Sequence, residues 1–234
     1  VSVPGWLLNQ PIAHRGLHRP GPDCPENSMA ALRAAAGHGY GAEVDVQLTS
    51  DGEIVVFHDY RLKRLTGVRG WLKDRTARSI GRLHLKGGSE SPPTLRDALG
   101  ELPGLPMLIE LKMGDLSLAP AVARVLDGHT GPFAIQSFDP ALVAWFRDHR
   151  PDWTRGLIAY EKLQFSLKAR EPRFRPEFIP ACEPHFVAWH VKDLPAHNSV
   201  PPDIPVVTWT VRSAQDRRQA ANYARNAIFE GFMA

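Results

Sequence analysis

Residues 42–59, AEVDVQLTSDGEIVVFHD, restrict the possible fold more than any other stretch of the chain. Two apolar-rich segments meet at Ser50-Asp51-Gly52, and Asp-Gly between alternating runs is the strongest short-range signal for a tight hairpin. A turn of that length cannot carry a parallel crossover, so the two strands must run antiparallel. The two-residue period of a strand places Glu43, Asp45 and Gln47 on one face and Val44, Val46 and Leu48 on the other. The second strand, Ile54-Val55-Val56-Phe57, carries no charge until it delivers His58 and Asp59 at its end. Taken alone, this alternation also describes a solvated edge strand.

The remaining strands turn the hairpin into part of a larger pattern. PIAHRG, from Pro11, reads as a short strand entering a glycine turn, with His14 and Arg15 at its end. Asn27 is placed to cap an alanine-rich helix that the glycines at 37, 39 and 41 bring to a close. Residues 60–93 show no clean period, and their basic, glycine-punctuated character predicts an irregular or partly helical insertion. Thr94 with Asp97 resembles a capping box. PMLIELK, over 106–112, then repeats the hairpin's logic, with Glu110 and Lys112 on one face and Ile109 and Leu111 on the other.

Strands over 133–137, 155–159, 186–191, 206–211 and 227–229 follow, with helices over 119–126, 140–148 and 214–223 among them. Residues 161–184, rich in Pro and Arg, have room for a short helix only. If one hairpin arm is an addition, eight strands alternate with helices. That is the count of a TIM (β/α)₈ barrel, here one domain over 1–234 with 60–93 inserted after the second strand and its hairpin.

Composition limits what such a barrel can be. A net charge of +3 is spread over scattered Lys and Arg, which gives no nucleic-acid footprint. No run of about 18 apolar residues is present, so stable membrane insertion is not expected. Two cysteines do not make a disulfide scaffold and suit a reducing compartment, so the default location is the cytoplasm.

In a barrel, strand C-termini share one mouth. His14, Arg15, Glu43, Asp45, His58, Glu110 and Lys112 all fall at such ends. Each has an ordinary reading alone, as surface charge, local ion pair or structural imidazole. Together they are harder to dismiss, because buried charge is costly unless paired or metal-bound. Three carboxylates without a nearby cysteine favour a hard, oxygen-ligated cation, Mg²⁺ or Ca²⁺. Arg15 and Lys112 beside it suit a phosphate, and two histidines can divide proton transfer. The implied chemistry is metal-assisted cleavage of a phosphodiester.

The order His14-Arg15-Gly16, Pro25-Glu26-Asn27-Ser28, Glu43-Val44-Asp45, His58-Asp59 and Glu110-Leu111-Lys112 resembles the glycerophosphodiester phosphodiesterase family. The likeness continues through Gln136-Ser137-Phe138 and Trp209-Thr210-Val211, so it covers nearly the whole chain. The resemblance implies Glu43, Asp45 and Glu110 as metal ligands and His14 with His58 as the acid-base pair. It further implies Arg15 and Lys112 as phosphate contacts, and Phe138 with Trp209 as the wall of a glycerol or alcohol pocket. Ser28 stands where threonine is usual, a neutral change if the residue starts a helix. Phe229-Glu230-Gly231-Phe232 departs from the family's Thr-Asp-Tyr-Pro type of ending, so no role carries over to the last strand.

The expected reaction releases sn-glycerol 3-phosphate from a small-molecule diester, with the substrate's own neighbouring hydroxyl as the preferred nucleophile. Two alternatives stand beside it. One is a related barrel enzyme acting on lysophospholipids or phosphoinositides, with the basic insertion and Trp6-Leu7-Leu8 facing the membrane. The other is a non-catalytic phosphate-binding barrel. His190 is read as structural.

Overall fold

A computed structural model describes residues 2–160, 177–196 and 199–234. Nine strands form one sheet: β1 Ile12–Ala13, β2 Gly41–Leu48, β3 Ile54–Val56, β4 Met107–Leu111, β5 Phe133–Ser137, β6 Arg155–Ala159, β7 Phe186–His190, β8 Val206–Val211 and β9 Asn226–Phe229. Every neighbouring pair is parallel except β2 and β3. Strand β1 pairs with both β2 and β9, which closes eight strands into a barrel and leaves β3 as an antiparallel flap on β2. The hairpin register, Val46 opposite Val56, is centred on Asp51, so the connection is the three-residue loop Ser50-Asp51-Gly52, with Gly52 supplying the left-handed position at φ 81°.

The helices are α1 Gly5–Asn9, α2 Met29–Gly37, α3 Lys63–Thr66, α4 Ala77–Ile80, α5 Leu95–Glu101, α6 Leu118–Leu126, α7 Pro140–His149, α8 Phe178–Cys182 and α9 Ala214–Tyr223. Side-chain oxygens of Thr94, Asp139 and Ser213 accept backbone N–H bonds at the starts of α5, α7 and α9. Strand alternation divides the core into two layers. Val44, Val46, Ile109, Leu111, Val187 and Trp189 pack outward against helices. Ile12, Leu108, Ala134, Ile158, Phe186, Val207 and Ile228 fill the barrel interior. Gly156 is required there, because any side chain on it would meet the Phe186 ring.

Leu7 of α1 is fully buried in the same interior layer, and the Asn226 side chain donates to the carbonyls of Leu7 and Gln10. Helix α1 therefore plugs the N-terminal end of the barrel. This corrects the alternative in which Trp6-Leu7-Leu8 shared a membrane-facing surface with the basic insertion, since the two lie at opposite ends. Residues 60–93 fold into α3, α4 and two short 3₁₀ turns. Leu62, Leu65, Leu72, Ile80 and Leu85 of that segment pack on Val55 and Phe57 as a separate apolar cluster. Of the weak stretch 161–184, residues 161–176 lie outside the described residues, and α8 is the short helix that the rest contains. Cys24 and Cys182 are buried free thiols. Among the described residues, no helix is long and apolar enough to cross a membrane.

Candidate active site

The barrel mouth is built outward from β2. Glu43 and Asp45 point inward from that strand, and in the β2/β4 register Glu110 stands beside Asp45. Ligand oxygens of Glu43, Asp45 and Glu110 all lie within 4.8 Å of one another, and all three residues are buried. Lys112 Nζ donates to Glu110 Oε1 at 2.7 Å and lies 3.4 Å from Asp45 Oδ1. Arg15 Nε is 3.4 Å from Asp45 Oδ2.

Two cations near three carboxylates leave an electrostatic surplus. Burial, followed by the Asp45 and Glu110 charges, pushes the Glu43 carboxyl well above its ordinary range. Glu110 is also raised, by burial first, with Lys112 opposing. Asp45 is the exception: burial would raise it, but His58, Lys112, Arg15 and a hydrogen bond from Asn27 hold it well below. The buried acceptors Glu43 Oε1 and Gln136 Oε1 receive no hydrogen bond among the described residues, and Gln136 pairs with Glu110 in the β4/β5 register. An all-oxygen acidic set with orphaned acceptors is the donor chemistry a hard divalent cation takes.

Backbone conformation brings Arg15 into this group. Arg15 and Gly16 have φ of 57° and 75°, and a Cβ on Gly16 would come within 2.8 Å of Ala31, so glycine is needed at that turn. The Arg15 amide then donates to Glu43 Oε2 at 3.0 Å and its side chain to Glu26 Oε1 at 2.6 Å. Asn27 is not the helix cap that its position suggests. Ser28 caps α2, its hydroxyl accepting from the Ala31 amide, while Asn27, at φ 56°, donates to Asp45 Oδ2 at 2.8 Å. The cap thus moves one residue on and frees the amide to orient a carboxylate. Gln47, inward-facing like Glu43 and Asp45, donates to the carbonyls of Phe57 and Asp59 and pins the loop that carries His58.

The two histidines share one architecture. His58 Nδ1 lies 2.8 Å from Asp59 Oδ1, and Arg64 grips that carboxylate at 2.6 and 2.9 Å. His14 Nδ1 lies 2.7 Å from Glu230 Oε2, which Arg212 also reaches at 2.7 Å. Asp59 and Glu230 are both held well below the ordinary carboxylate range, because these hydrogen bonds outweigh burial. An ionised carboxylate only accepts, so each Nδ1 carries the hydrogen and each Nε2 is left to the mouth. The His14 Nε2 lies 3.9 Å from Glu43 Oε2. Burial lowers the His14 pKa to about 4 despite Glu230.

Phe138 and Trp209 meet edge to face at 5.4 Å, and His190 packs edge-on against Trp209 at 4.9 Å. The structure therefore brings His14, Arg15, Glu43, Asp45, His58, Glu110 and Lys112 together, sets Phe138 and Trp209 against each other, and adds Glu230, Glu26, Asn27 and Gln47 to the first group. Gln47 was signalled by strand periodicity. Glu230 had no local signal at all, being 216 residues from His14. On the side of Lys112, a cavity of about 470 Å³ is walled by Tyr60, Trp71 and Lys73 of the 60–93 segment and by Met113.

Residues 14–233 match the model of the glycerophosphoryl diester phosphodiesterase family. The human glycerophosphodiester phosphodiesterase 1 is 40% identical over 99 residues, covering 38% of this chain and 29% of the relative. A glycerophosphodiester phosphodiesterase of Caldanaerobacter subterraneus is 37% identical over 124 residues, 49% of each protein. The matched stretches thus span half or less of these curated relatives. Among solved structures, a phosphodiesterase of Oleispira antarctica in complex with the product sn-glycerol-3-phosphate superposes with a TM-score of 0.80 at 24% identity, covering 94% of this chain and 92% of that one. At that identity the likeness establishes the barrel fold.

Proposed function

The chain belongs to the glycerophosphoryl diester phosphodiesterase family, and from that membership we propose that residues 1–234 act as one catalytic barrel hydrolysing glycerophosphodiesters to sn-glycerol 3-phosphate and an alcohol. The reading rests on one observation: a buried acidic triad shares its mouth with two imidazoles, each backed on Nδ1 by an arginine-held carboxylate. Glu43, Asp45 and Glu110 would hold a divalent cation, Mg²⁺ or Ca²⁺, which when bound supplies Lewis-acid polarisation of the phosphoryl group.

The remaining work falls to the chain's own groups. Arg15 and Lys112 offer fixed positive charge to the diester phosphate. Phe138 and Trp209 form an apolar wall for the carbon skeleton. His14, buried and neutral, accepts the proton of the nucleophile at Nε2. His58, the more open of the two, donates a proton to the departing alcohol. The nucleophile is the substrate hydroxyl next to the phosphate-bearing carbon, since a well-oriented internal group has an effective molarity of about 10⁵ M or more. The cyclic glycerol phosphate that results is opened by water with the histidine roles exchanged. A diester with that hydroxyl replaced by hydrogen should bind competitively and turn over poorly, and a kcat equal to that of glycerophosphocholine would exclude the cyclic route.

The direct test of the reading is release of sn-glycerol 3-phosphate from the choline, ethanolamine and glycerol diesters in the presence of Mg²⁺ or Ca²⁺. At least one should be cleaved with turnover well above the uncatalysed rate. Failure with all three would contradict it. A barrel that only binds phosphate would need Arg15 and Lys112 but leaves the His58, Asp59 and Arg64 cluster without a task.

A further inference from the structure

We propose that the 60–93 segment is an electrostatic docking surface for anionic phospholipid bilayers, which sets the mouth against the membrane where its substrate is made. Nine Lys and Arg against Asp74 and Glu90 give this segment a formal charge of +7, whereas the whole chain carries +3. The rest of the protein is therefore net −4, and the positive charge lies on the segment that reaches the mouth through Arg64, Trp71 and Lys73. All nine cationic residues are exposed. Among the described residues, only Arg64 of the nine is in an ion pair. The segment buries its leucines against Val55 and Phe57, so its charged side chains are turned to solvent.

Its position ties this charge to the site. Arg64 grips Asp59, the partner of His58, and Trp71 and Lys73 wall the cavity next to Lys112. The inference rests on the proposed diesterase activity for its choice of partner. A glycerophosphodiester is what remains when both acyl esters of a diacyl phospholipid are hydrolysed, so the supplying reaction is acyl-ester hydrolysis at a bilayer. Nucleic acid is the poorer fit. Grip on single strands relies on open aromatic faces, whereas Tyr60 and Trp71 are half-buried and Arg61 already lies over the Trp71 ring at 4.1 Å. No large hydrophobic residue of the segment is exposed, which points to attraction at the headgroup level without insertion.

The test is co-sedimentation of the whole protein with phosphatidylcholine vesicles and with vesicles in which part of that lipid is replaced by phosphatidylglycerol. Arg69, Arg75, Arg78 and Arg82 have no part in the site, so the variant carrying Gln at all four positions is compared with one carrying Lys at all four. Each cation that reaches an anionic surface raises partitioning about fivefold. The parent and Lys variant should pellet with anionic vesicles only, and lose binding as salt is raised. The Gln variant should bind up to about 600-fold more weakly, with glycerophosphocholine turnover unchanged. Equal binding by the Gln and Lys variants, or no binding at low salt, would overturn the inference. So would equal affinity for a DNA duplex at the same salt, which would make the surface a general polyanion site. Turnover without vesicle binding removes this inference alone, whereas vesicle binding without turnover removes the diesterase reading alone.

Discussion

The two histidine clusters are chemically alike and assembled in opposite ways. His58, Asp59 and Arg64 come from seven consecutive positions at the edge of the hairpin, where the imidazole side chain is 30% exposed. His14, Glu230 and Arg212 are drawn from both ends of the chain, and the imidazole side chain is 10% exposed. The first joins groups that are neighbours in sequence. The second exists only when β1 pairs with β9 and the barrel closes. Closure therefore completes a local half-site, and it does so in a drier environment that keeps its imidazole neutral.

The largest effect should come from removing the divalent cation proposed for the acidic triad. EDTA should abolish turnover and Mg²⁺ or Ca²⁺ restore it. Full activity after exhaustive chelation would show that the acidic triad holds no required ion. At a hundredfold excess over Kd, the metal should also stabilise the fold by about 2.7 kcal/mol. A thermal melt with and without cation reads this separately from activity.

Next in size are the carboxylates that orient the imidazoles. Glu230→Gln and Asp59→Asn should each lower kcat by about 10²-fold with little change in KM, the scale on which a group fixing an imidazole acts. Glu230→Gln should additionally lower the melting temperature more than Asp59→Asn, because its hydrogen bonds span the barrel closure. If the two variants lose stability equally, local and closure-dependent assembly do not differ as described.

Glu26 gives an effect on stability rather than on turnover, because it joins the two sides by bonding both Arg15 and Arg64. Burial would raise its pKa, but Arg64 and Arg15 hold it down to about 2 from an ordinary 4.5. The folded carboxyl is the weaker proton binder, so its contribution is present above pH 4.5 and is lost as pH falls through about 2. The shift corresponds to about 3 kcal/mol. Denaturant unfolding at several pH values should show Glu26→Gln losing the corresponding acid-side slope. An unchanged slope would mean that the bridge contributes nothing to stability.

The same contrast marks what the sequence could reveal. Strand periodicity and the Asp-Gly turn were enough to align Glu43, Asp45 and Gln47 and to pair Glu110 with Lys112, because strand geometry is a local property. The count of eight strands was legible for the same reason. Glu230 was not, since nothing near Phe229 indicates which strand end it will meet. Asn27 looked like a helix cap because capping statistics do not register a positive φ, which Ser28 makes possible by taking the cap itself. Helix α1 was missed because Trp6-Leu7-Leu8 is too short to show a period, and only a closed barrel offers Leu7 an end to plug.

The division of labour between the two clusters is most directly measured by the leaving-group dependence of His14→Ala and His58→Ala. Each should lower kcat on glycerophosphocholine by about 10² to 10⁴-fold. On the glycerophosphoryl ester of p-nitrophenol, whose leaving group departs without a proton, single-turnover release of p-nitrophenol, which reads the first half-reaction alone, should recover most of its loss in His58→Ala and not in His14→Ala. Recovery by both variants, or by neither, would contradict one imidazole acting as base and the other as acid.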